Sequence, residues 1–296
     1  MFCRENGVVV FDREDALKLI PPRLSDMNKT DRGRVLVAGG SKNYPGAPAL
    51  SALAALRSGS GIVSLLSSPE VCHVCACRLP EAVQLPREEA AWTGASLEEL
   101  PRANAAVAGP GLGRSRAVVS FVADLWEKWD KPLLVDGDGL YALAVSSKEC
   151  PLRGNAVLTP HEGEAARLLG WTPQDVRQNR VDAAERLSAR WGCVLLKGEG
   201  SLAASEGKMI RLSRGGPELS VPGSGDVLSG CIGAFLAQGL SPLEAACLGG
   251  TLHGMAGSRL REIMGVDGIL ASEIANALPL VLRSLRNLKE NTPPLV

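Results

Sequence analysis

The sequence is poor in aromatic residues and has no excess of charge of either sign. Phe, Trp and Tyr together make up 4% of its 296 residues, and Lys plus Arg equal Asp plus Glu at 32 each. Proteins that bind nucleic acid usually present a basic face, and those that bind single strands add aromatic stacking platforms. The composition therefore predicts that no nucleic acid is a partner.

Long apolar runs are also missing. No run approaches the roughly 20 residues that a transmembrane helix needs, so we expect no membrane association. The first residues, Met1-Phe2-Cys3-Arg4-Glu5-Asn6, hold an early acid and no long apolar segment, unlike a secretory signal. Eight cysteines without such a signal are typical of reduced thiols. We expect a cytoplasmic protein.

Three of the cysteines cluster in the segment Cys72-His73-Val74-Cys75-Ala76-Cys77. Three thiols and an imidazole could bind zinc, but no second Cys/His pair follows at the spacing of a zinc finger. Cys72 and Cys75 would share one face of a helix, as buried core thiols often do. The pattern favours core thiols over zinc, and the role of the Cys72/Cys75/Cys77 cluster stays open.

From Arg34 onward, short apolar runs alternate with helical patterns. Predicted strands cover 35–38, 62–66, 105–108, 132–135, 156–158 and 193–196, and a hairpin joins 201–204 to 208–212. Predicted helices cover 49–57, 116–129, 164–169, 176–191, 227–238, 242–260 and 271–288. This alternation predicts an α/β fold whose mostly parallel sheet carries helices on both faces. We predict one domain over 31–290, after an arm or short helix over 1–30.

Polar residues and glycines follow nearly every predicted strand. They are Gly39-Gly40, Gly109-Pro110-Gly111-Leu112-Gly113, Asp136, Asp138, His161 and Lys197. In an open parallel sheet, ligands bind outside the carboxyl ends of the strands. Any one of these residues could equally serve an ordinary turn. Their number favours a binding site at this edge of the sheet.

The segment Gly223-Ser224-Gly225-Asp226 leads directly into an apolar helix. Its backbone amides would lie at the positive end of the helix dipole, which suits an anion. Asp226 has two interpretations at this point. It could cap the helix, or it could be a base that takes a proton from a substrate hydroxyl while the amides hold a phosphoryl group.

Three familiar catalytic motifs are missing from the sequence. A Gly-x-x-x-x-Gly-Lys-Ser/Thr segment does not occur, which excludes a P-loop NTPase. The glycines at 109, 111 and 113 do not match the dinucleotide fingerprint Gly-x-Gly-x-x-Gly, which leaves a hydride-transferring dehydrogenase a weak alternative. No Gly-x-Ser-x-Gly elbow follows a strand, so a serine hydrolase is weaker still.

Taken together, these motifs resemble the ADP- or ATP-dependent NAD(P)H-hydrate dehydratases of the ribokinase-like superfamily, over about residues 15–285. The motifs that carry the resemblance are Val35-Leu36-Val37-Ala38-Gly39-Gly40-Ser41, Tyr44-Pro45-Gly46-Ala47-Pro48-Ala49, Gly109-Pro110-Gly111-Leu112-Gly113, Val135-Asp136-Gly137-Asp138-Gly139-Leu140, Thr159-Pro160-His161-Glu162-Gly163-Glu164, Leu196-Lys197-Gly198 and Gly225-Asp226-Val227-Leu228-Ser229-Gly230.

The resemblance implies a repair reaction on (S)-NADHX or NADPHX, the hydrated forms of NADH and NADPH, with ADP or ATP as co-substrate and Mg²⁺ as cofactor. It implies Asp226 as the catalytic base, which also contacts the hydrated dinucleotide together with Ala47, Gly111 and His161. Glu164 would act on Mg²⁺ indirectly. The residues implied to bind the nucleotide are Lys197, Gly198, Glu199, Gly200, Ser201, Gly223, Ser224 and Gly225.

The resemblance also implies a homo-oligomer that works with a separate NAD(P)HX epimerase, since the chain begins too close to the dehydratase region for a fused one. Residues 216–222, directly before the catalytic loop, depart from the family pattern. Pro222 removes a backbone donor and Glu218 adds a negative charge, which leaves the choice between ADP and ATP open. A ribokinase-like small-molecule kinase and a non-catalytic nucleotide-binding protein are the alternatives.

Overall fold

A single β-sheet organises the fold in the computed structural model, which describes residues 3–5, 8–88, 92, 100, 102–147 and 150–291. Within those residues the sheet has eleven strands. They are β1 (Cys3–Glu5), β2 (Val8–Phe11), β3 (Arg34–Ala38), β4 (Ile62–Ser67), β5 (Val83–Pro86), β6 (Ala105–Ala108), β7 (Leu133–Val135), β8 (Ala156–Leu158), β9 (Cys193–Leu196), β10 (Leu202–Ser205) and β11 (Lys208–Leu212).

The strand order across the sheet is β1-β2-β11-β10-β9-β8-β7-β6-β3-β4-β5. From β9 to β5 every neighbouring pair is parallel, whereas β10 is antiparallel to both β9 and β11. This confirms the predicted mostly parallel sheet and the predicted hairpin. The chain moves outward from β3 to β4 and β5, and then returns to β6 on the other side of β3. The strand order therefore reverses between β3 and β6.

Helices cover both faces of this sheet. They are α1 (Arg13–Leu19), α2 (Ala47–Arg57), α3 (Pro69–Arg78), α4 (Arg116–Lys128), α5 (Asp138–Val145), α6 (Glu162–Leu169), α7 (Pro173–Gln178), α8 (Arg180–Trp191), α9 (Ser224–Ala237), α10 (Pro242–Met264) and α11 (Ala271–Asn291). One core cluster joins the sheet to α1–α3 and α9–α11, and a second joins it to α4–α8. Within the described residues, no helix combines the length and the hydropathy that crossing a membrane requires.

Strand β3 explains why the buried strands read as continuous apolar runs. Val35 and Val37 point into one core cluster, while Leu36 and Ala38 point into the other. All four residues are at most 1% exposed. Because successive side chains point to opposite faces, a strand covered by helices on both sides must be apolar at every position.

Local signals set where the helices begin. In α10 the Ser241 side chain accepts a hydrogen bond from the Glu244 amide, and the Glu244 side chain accepts one from the Ser241 amide. This reciprocal pair is a capping box, and Pro242 occupies the first turn, where its missing N–H does no harm. The same type of box, formed by Thr172 and Asp175, begins α7 at Pro173.

The prediction of one continuous helix over 176–191 was wrong. The structure has two helices, α7 and α8, that meet at Asn179, whose backbone (φ −128°, ψ 47°) is not helical. The Thr172 box starts the first helix before the predicted boundary, and the chain then turns at Asn179. Apolar spacing continues across this junction, so the pattern alone did not reveal the break.

The first part of the chain contains more regular structure than the predicted arm or short helix. Strand β2 lies parallel to β11, and β1 pairs with β2 in the antiparallel sense. Helix α1 begins with a capping box between Asp12 and Asp15. The two strands are short, and the partner of β2 comes much later in the chain, after β10. The predicted boundary at residue 30 stays a prediction.

Candidate active site

The carboxyl ends of the parallel strands carry the predicted site residues. The crevice between β3 and β6, where the strand order reverses, is the position at which open α/β sheets bind ligands. Two loops meet there, because the Gly40 amide donates a 2.8 Å hydrogen bond to the Pro110 carbonyl. The loop after β3 and the loop after β6 therefore form one surface.

Ala47 and Gly111, both predicted to contact the dinucleotide, lie side by side on this surface. A Cβ atom placed on Gly111 would lie 2.9 Å from Cβ of Ala47 and 2.6 Å from Cβ of Tyr44. Gly111 also has φ +58°, a conformation that L side chains rarely adopt. The position requires glycine both for its backbone and for this close approach. The contact brings the two residues together, and their role in binding stays a prediction.

Replacing Gly111 with alanine is expected to push the loop after β6 away from Tyr44 and Ala47 and to weaken dinucleotide binding. Gly170→Ala is a matched control, because Gly170 also has positive φ (+71°) but has no atom within 4 Å of an added Cβ. Both variants carry about 1 kcal/mol of backbone strain. Urea unfolding should show an additional loss in Gly111→Ala, and only that variant should raise the KM for the dinucleotide. Equal effects of the two substitutions would refute the close approach at Gly111.

Asp226 lies in the first turn of α9, where the helix dipole is positive. The preceding Gly223 adopts a left-handed conformation (φ 87°, ψ −7°) that reverses the chain into the helix. A Cβ on Gly223 would lie 2.6 Å from Cδ1 of Leu50 in α2 and 3.1 Å from Cβ of Ala271 in α11. The Ser224 amide donates to the Val221 carbonyl at 3.2 Å. The amides of Gly225 and Asp226 are therefore the first-turn donors left for an anion.

Lys197, which follows β9, lies among acidic side chains from other strands and helices. Its Nζ donates to Oδ1 of Asp136 at 2.8 Å, and Oε2 of Glu164 is 3.7 Å from it. Asp136 follows β7 and is 3% exposed. Burial acts to lower the pKa of Lys197, but the charges of Asp136, Glu164 and Asp226 outweigh it, so that pKa is raised. The ammonium group therefore stays charged at this edge of the sheet.

The pKa of Asp226 is raised to about 7. Burial is the largest cause, followed by the negative charge of Asp136, while the charge of Lys197 acts in the opposite direction. Asp226 does not cap its own helix in this structure, because the cap residue is Gly223 and no side-chain hydrogen bond caps α9. A carboxylate whose pKa is near neutrality is well placed to exchange a proton with a substrate.

His161 and Glu164 form the capping box of α6. Nδ1 of His161 accepts a 3.0 Å hydrogen bond from the Gly163 amide, and the His161 amide donates to Oε2 of Glu164 at 2.8 Å. The His161 side chain is 60% exposed, so most of the ring remains accessible while Nδ1 holds the cap. The cap and the predicted substrate contact are compatible, since they use different atoms of the ring. Glu164 at the same time faces Lys197.

The predicted nucleotide-binding segment after Lys197 forms a tight turn. The Ser201 hydroxyl donates to the Gly198 carbonyl at 3.0 Å, and Gly198 (φ +134°) and Gly200 (φ +59°) have backbone conformations that suit glycine. Glu199 lies between them in this turn. The Arg180 guanidinium donates to the carbonyls of Leu196 and Lys197. The segment thus lies beside the lysine–carboxylate cluster, and its role in nucleotide binding stays a prediction.

Sequence reasoning missed two interactions at this site. It gave Asp136 a place at a strand end but not its ion pair with Lys197. It also did not foresee that His253 contacts the Gly223–Asp226 loop, where Nε2 of His253 lies 3.1 Å from Oγ of Ser224. Burial lowers the pKa of His253 to about 4, so the ring is neutral at physiological pH. Both contacts join distant parts of the chain, and no local pattern indicates either.

Pro222 and Glu218, the two departures from the family pattern before the Gly223–Asp226 loop, differ in their surroundings. Pro222 is exposed. Glu218 lies in a 3₁₀ turn, is 1% exposed, and has Arg261 of α10 at 3.6 Å from its carboxylate. The predicted extra negative charge is thus a buried one that Arg261 partly compensates.

These features define a ribokinase-like fold whose candidate site lies at the carboxyl edge of the sheet. The ADP/ATP-dependent NAD(P)H-hydrate dehydratase of Bacillus subtilis, co-crystallised with ATP/Mg²⁺, superposes with a TM-score of 0.86 and 27% identity, over 95% of this chain and 100% of that one. A ribokinase-like superfamily protein of Enterococcus faecalis gives a TM-score of 0.84 at 26% identity, over 96% and 99% of the two chains. These similarities confirm the predicted fold.

Sequence comparison identifies the family. The family model of NAD(P)H-hydrate dehydratases matches residues 35–280. The ADP-dependent (S)-NAD(P)H-hydrate dehydratase of Neisseria meningitidis is 41% identical over 273 residues, which are 90% of this chain and 88% of that protein. This chain therefore belongs to the NAD(P)H-hydrate dehydratase family, which confirms the resemblance seen in the motifs.

Several relatives are longer than this chain. The bifunctional NAD(P)H-hydrate repair enzyme Nnr of Thermanaerovibrio acidaminovorans is 41% identical over 286 residues, which cover 94% of this chain but 56% of that enzyme. The chain thus spans about half the length of the bifunctional curated relatives it matches.

Proposed function

We propose that this protein catalyses the dehydration of (S)-NADHX and NADPHX to NADH and NADPH at the expense of ADP or ATP. The observation that carries the proposal is the position of Asp226 in the first turn of α9, where the neighbouring Gly225 lies against Lys197 and Asp136. Burial at this position raises the pKa of Asp226 to about 7. Family membership supports the choice of substrate, and the close approach of Ala47 and Gly111 supports a dinucleotide site at the β3–β6 crevice.

Asp226 acts as the general base in the proposed first step. It takes the proton from the C6 hydroxyl of the hydrated ring, and the oxygen attacks the terminal phosphorus of the nucleotide. ADP leaves when ATP is the donor, and AMP leaves when ADP is. The amides of Gly225 and Asp226, at the positive end of α9, stabilise the charge on the transferring phosphoryl group. Lys197 adds a positive charge beside them.

The second step restores the ring. The C6–O bond breaks, and inorganic phosphate leaves with the bonding electrons. The lone pair of the ring nitrogen forms a double bond to C6 at the same time. Loss of a proton from C5 then re-forms the C5–C6 double bond. Phosphorylation is needed because hydroxide is a poor leaving group, whereas phosphate is a good one. The proton from C5 goes to solvent. The balance is one hydrated dinucleotide and one nucleotide consumed, and one reduced dinucleotide, one shortened nucleotide, one phosphate and one proton formed.

Mg²⁺ fits this site as a partner of the nucleotide. In the part of the chain that the structure describes, no group of three or more His, Cys, Asp or Glu side chains is arranged to hold a metal ion. Glu164 already accepts a hydrogen bond from the His161 amide and faces Lys197. Glu164 would therefore act through water, with phosphate oxygens as the main ligands, as is common for Mg²⁺. The ion would neutralise charge on the phosphates.

The test is a coupled assay with hydrated NADH or NADPH, Mg²⁺, and either ADP or ATP. We expect the dihydronicotinamide absorbance to recover with one phosphate released per dinucleotide, and the faster nucleotide identifies the preferred co-substrate. A stable phosphorylated product without recovery would identify a small-molecule kinase instead. Nucleotide binding without turnover would identify a non-catalytic protein.

The pH dependence of kcat/KM tests the role of Asp226 directly. A general base must be ionised, so activity should fall about tenfold per pH unit below the pKa of about 7 and level off above it. An ordinary carboxylate would place this limb near pH 4. The measurement is initial rate at low dinucleotide concentration from pH 5 to 9. A rate that stays level down to pH 5 would show that the surroundings of Asp226 do not control catalysis.

We further propose that the protein is cytoplasmic, that it assembles as a homo-oligomer, and that it acts together with an NAD(P)HX epimerase. The last proposal rests on the bifunctional repair enzymes among its relatives. Size-exclusion chromatography with light scattering tests the assembly. Adding a purified epimerase to the assay tests the partnership, because a mixture of the (R) and (S) hydrates should then be converted completely and not only in its (S) part.

A further inference from the structure

A cavity lies far from the catalytic loop, at the opposite edge of the sheet. Its volume is about 450 Å³. Helix α2 connects the two regions, since it begins at Ala47 and ends at Arg57 on the wall of the cavity. Eleven helical residues span about 16 Å, so the cavity is separate from the proposed active site.

Five arginines line this cavity: Arg23, Arg32, Arg57, Arg283 and Arg286. No Asp or Glu side chain lines it in the part of the chain that the structure describes. The whole chain has equal numbers of acidic and basic residues, so this concentration of one sign is local. Burial, and then the charges of Arg286 and Arg32, lower the pKa of Arg23. Gathering several guanidinium groups is unfavourable, and an anion bound among Arg23, Arg32, Arg57 and Arg283 would relieve their repulsion.

Two further observations indicate a formed site. Arg23 is held in place, because its Nη2 donates a 2.9 Å hydrogen bond to the Gly59 carbonyl. Ser60 also lines the cavity and is 7% exposed, yet its hydroxyl has no hydrogen-bond partner within the described residues. Buried hydroxyls are nearly always hydrogen-bonded. The Ser60 hydroxyl is therefore an unsatisfied group in the cavity wall, and it would have to turn outward to reach a ligand.

We propose that this cavity binds a small molecule that carries two or more phosphate groups. Planar guanidinium groups match phosphate oxygens with paired hydrogen bonds, and several of them together favour a ligand with several phosphates. The volume lies in the range typical of small-molecule sites. Leu56, Pro279 and Leu282 form an apolar wall that accommodates the rest of the molecule. The proposal is independent of the function assigned to Asp226.

Isothermal titration with tripolyphosphate tests the proposal. The catalytic loop is also expected to attract phosphate, so the binding assigned to the cavity is the part that the arginine variant described next loses. We expect one tripolyphosphate bound per cavity, at least tenfold more tightly than sulfate at the same ionic strength. The variant Arg32→Gln/Arg57→Gln/Arg283→Gln should weaken binding at least tenfold. These three arginines are exposed, so the variant should fold normally and keep its catalytic activity.

A matched control removes three exposed arginines elsewhere: Arg78→Gln/Arg102→Gln/Arg116→Gln. It carries the same net charge as the first variant and should bind tripolyphosphate like the wild type. Equal weakening in both variants would show a general charge effect and overturn the proposal. So would a wild-type protein that does not bind tripolyphosphate, or that binds it no better than sulfate. A wild-type protein that binds tripolyphosphate but does not turn over the NAD(P)H hydrates would contradict only the proposed catalytic function.

Discussion

Replacing Asp226 with asparagine should lower the turnover of hydrated NADH by about a hundredfold to ten-thousandfold, the usual contribution of a general base. Asparagine keeps the size of the side chain but cannot accept the proton of the C6 hydroxyl. The first-turn amides of α9 and the charge of Lys197 remain, so the dissociation constant of the nucleotide should change less than tenfold. Stopped-flow or steady-state rates, together with a nucleotide titration, measure the two effects separately.

The same substitution should stabilise the fold at alkaline pH. The pKa of Asp226 is about 7 in the folded protein and 3.8 in an ordinary setting. A raised carboxyl pKa means that the folded state holds the proton more tightly. The contribution of this carboxyl to the free energy of unfolding is therefore most favourable below pH 4, and it is lost as the pH rises to 7. An asparagine side chain has no charge to bury, so Asp226→Asn should gain about 2–4 kcal/mol above pH 7 and almost nothing near pH 4.

Asp182→Asn is the control for both measurements, because Asp182 is half exposed on α8 and pairs with Arg186. It should leave turnover unchanged and change the unfolding free energy by well under 1 kcal/mol at all pH values. Retained turnover in Asp226→Asn would contradict the role of the base. A stability difference that does not change with pH would contradict the raised pKa of Asp226.

Apolar patterning predicted most of the sheet because the central strands are covered on both sides. Strands β3, β6 and β8 read as unbroken apolar runs for this reason, and they were placed within one residue. Strand β2 has the same apolar character, but its neighbour β11 lies far away along the chain. Which strand pairs with which depends on the order of the whole sheet, and a local run cannot reveal it.

The site was predictable to the extent that parallel strands bring their carboxyl ends together. Gly111, Lys197 and Asp226 were proposed as site residues in this way or by motif. Their partners were not, because the Lys197–Asp136 pair and the Ser224–His253 contact join residues 61 and 29 positions apart. The arginine cavity was still harder to predict, since its five guanidinium groups come from α2, from α11 and from the stretch between α1 and β3, which only the packing of the fold brings together. Each segment alone looks like an ordinary charged surface.

Lys197→Met is expected to affect both activity and stability through the same charges. Without the ammonium group, the carboxylate of Asp136 is buried with no counter-charge, and the negative charges of Asp136 and Glu164 act on Asp226 unopposed. Breaking a fully buried pair costs about 3–5 kcal/mol. Because the Lys197 side chain is 19% exposed, we expect about 2–4 kcal/mol in urea unfolding at pH 7.

The pH profile separates an electrostatic role of Lys197 from a merely structural one. Lys197 lowers the pKa of Asp226, so its removal should move the acidic limb of kcat/KM from about pH 7 to higher pH. Activity at pH 7 should fall about tenfold for every pH unit that the limb moves, and part of that loss should return at pH 9. Lys197→Arg keeps the charge and should keep the limb near pH 7. Lys208→Met, at an exposed position of the β10–β11 hairpin, should change neither property. If Lys197→Met loses activity equally at every pH, the lysine does not set the proton affinity of Asp226 and acts through nucleotide binding alone.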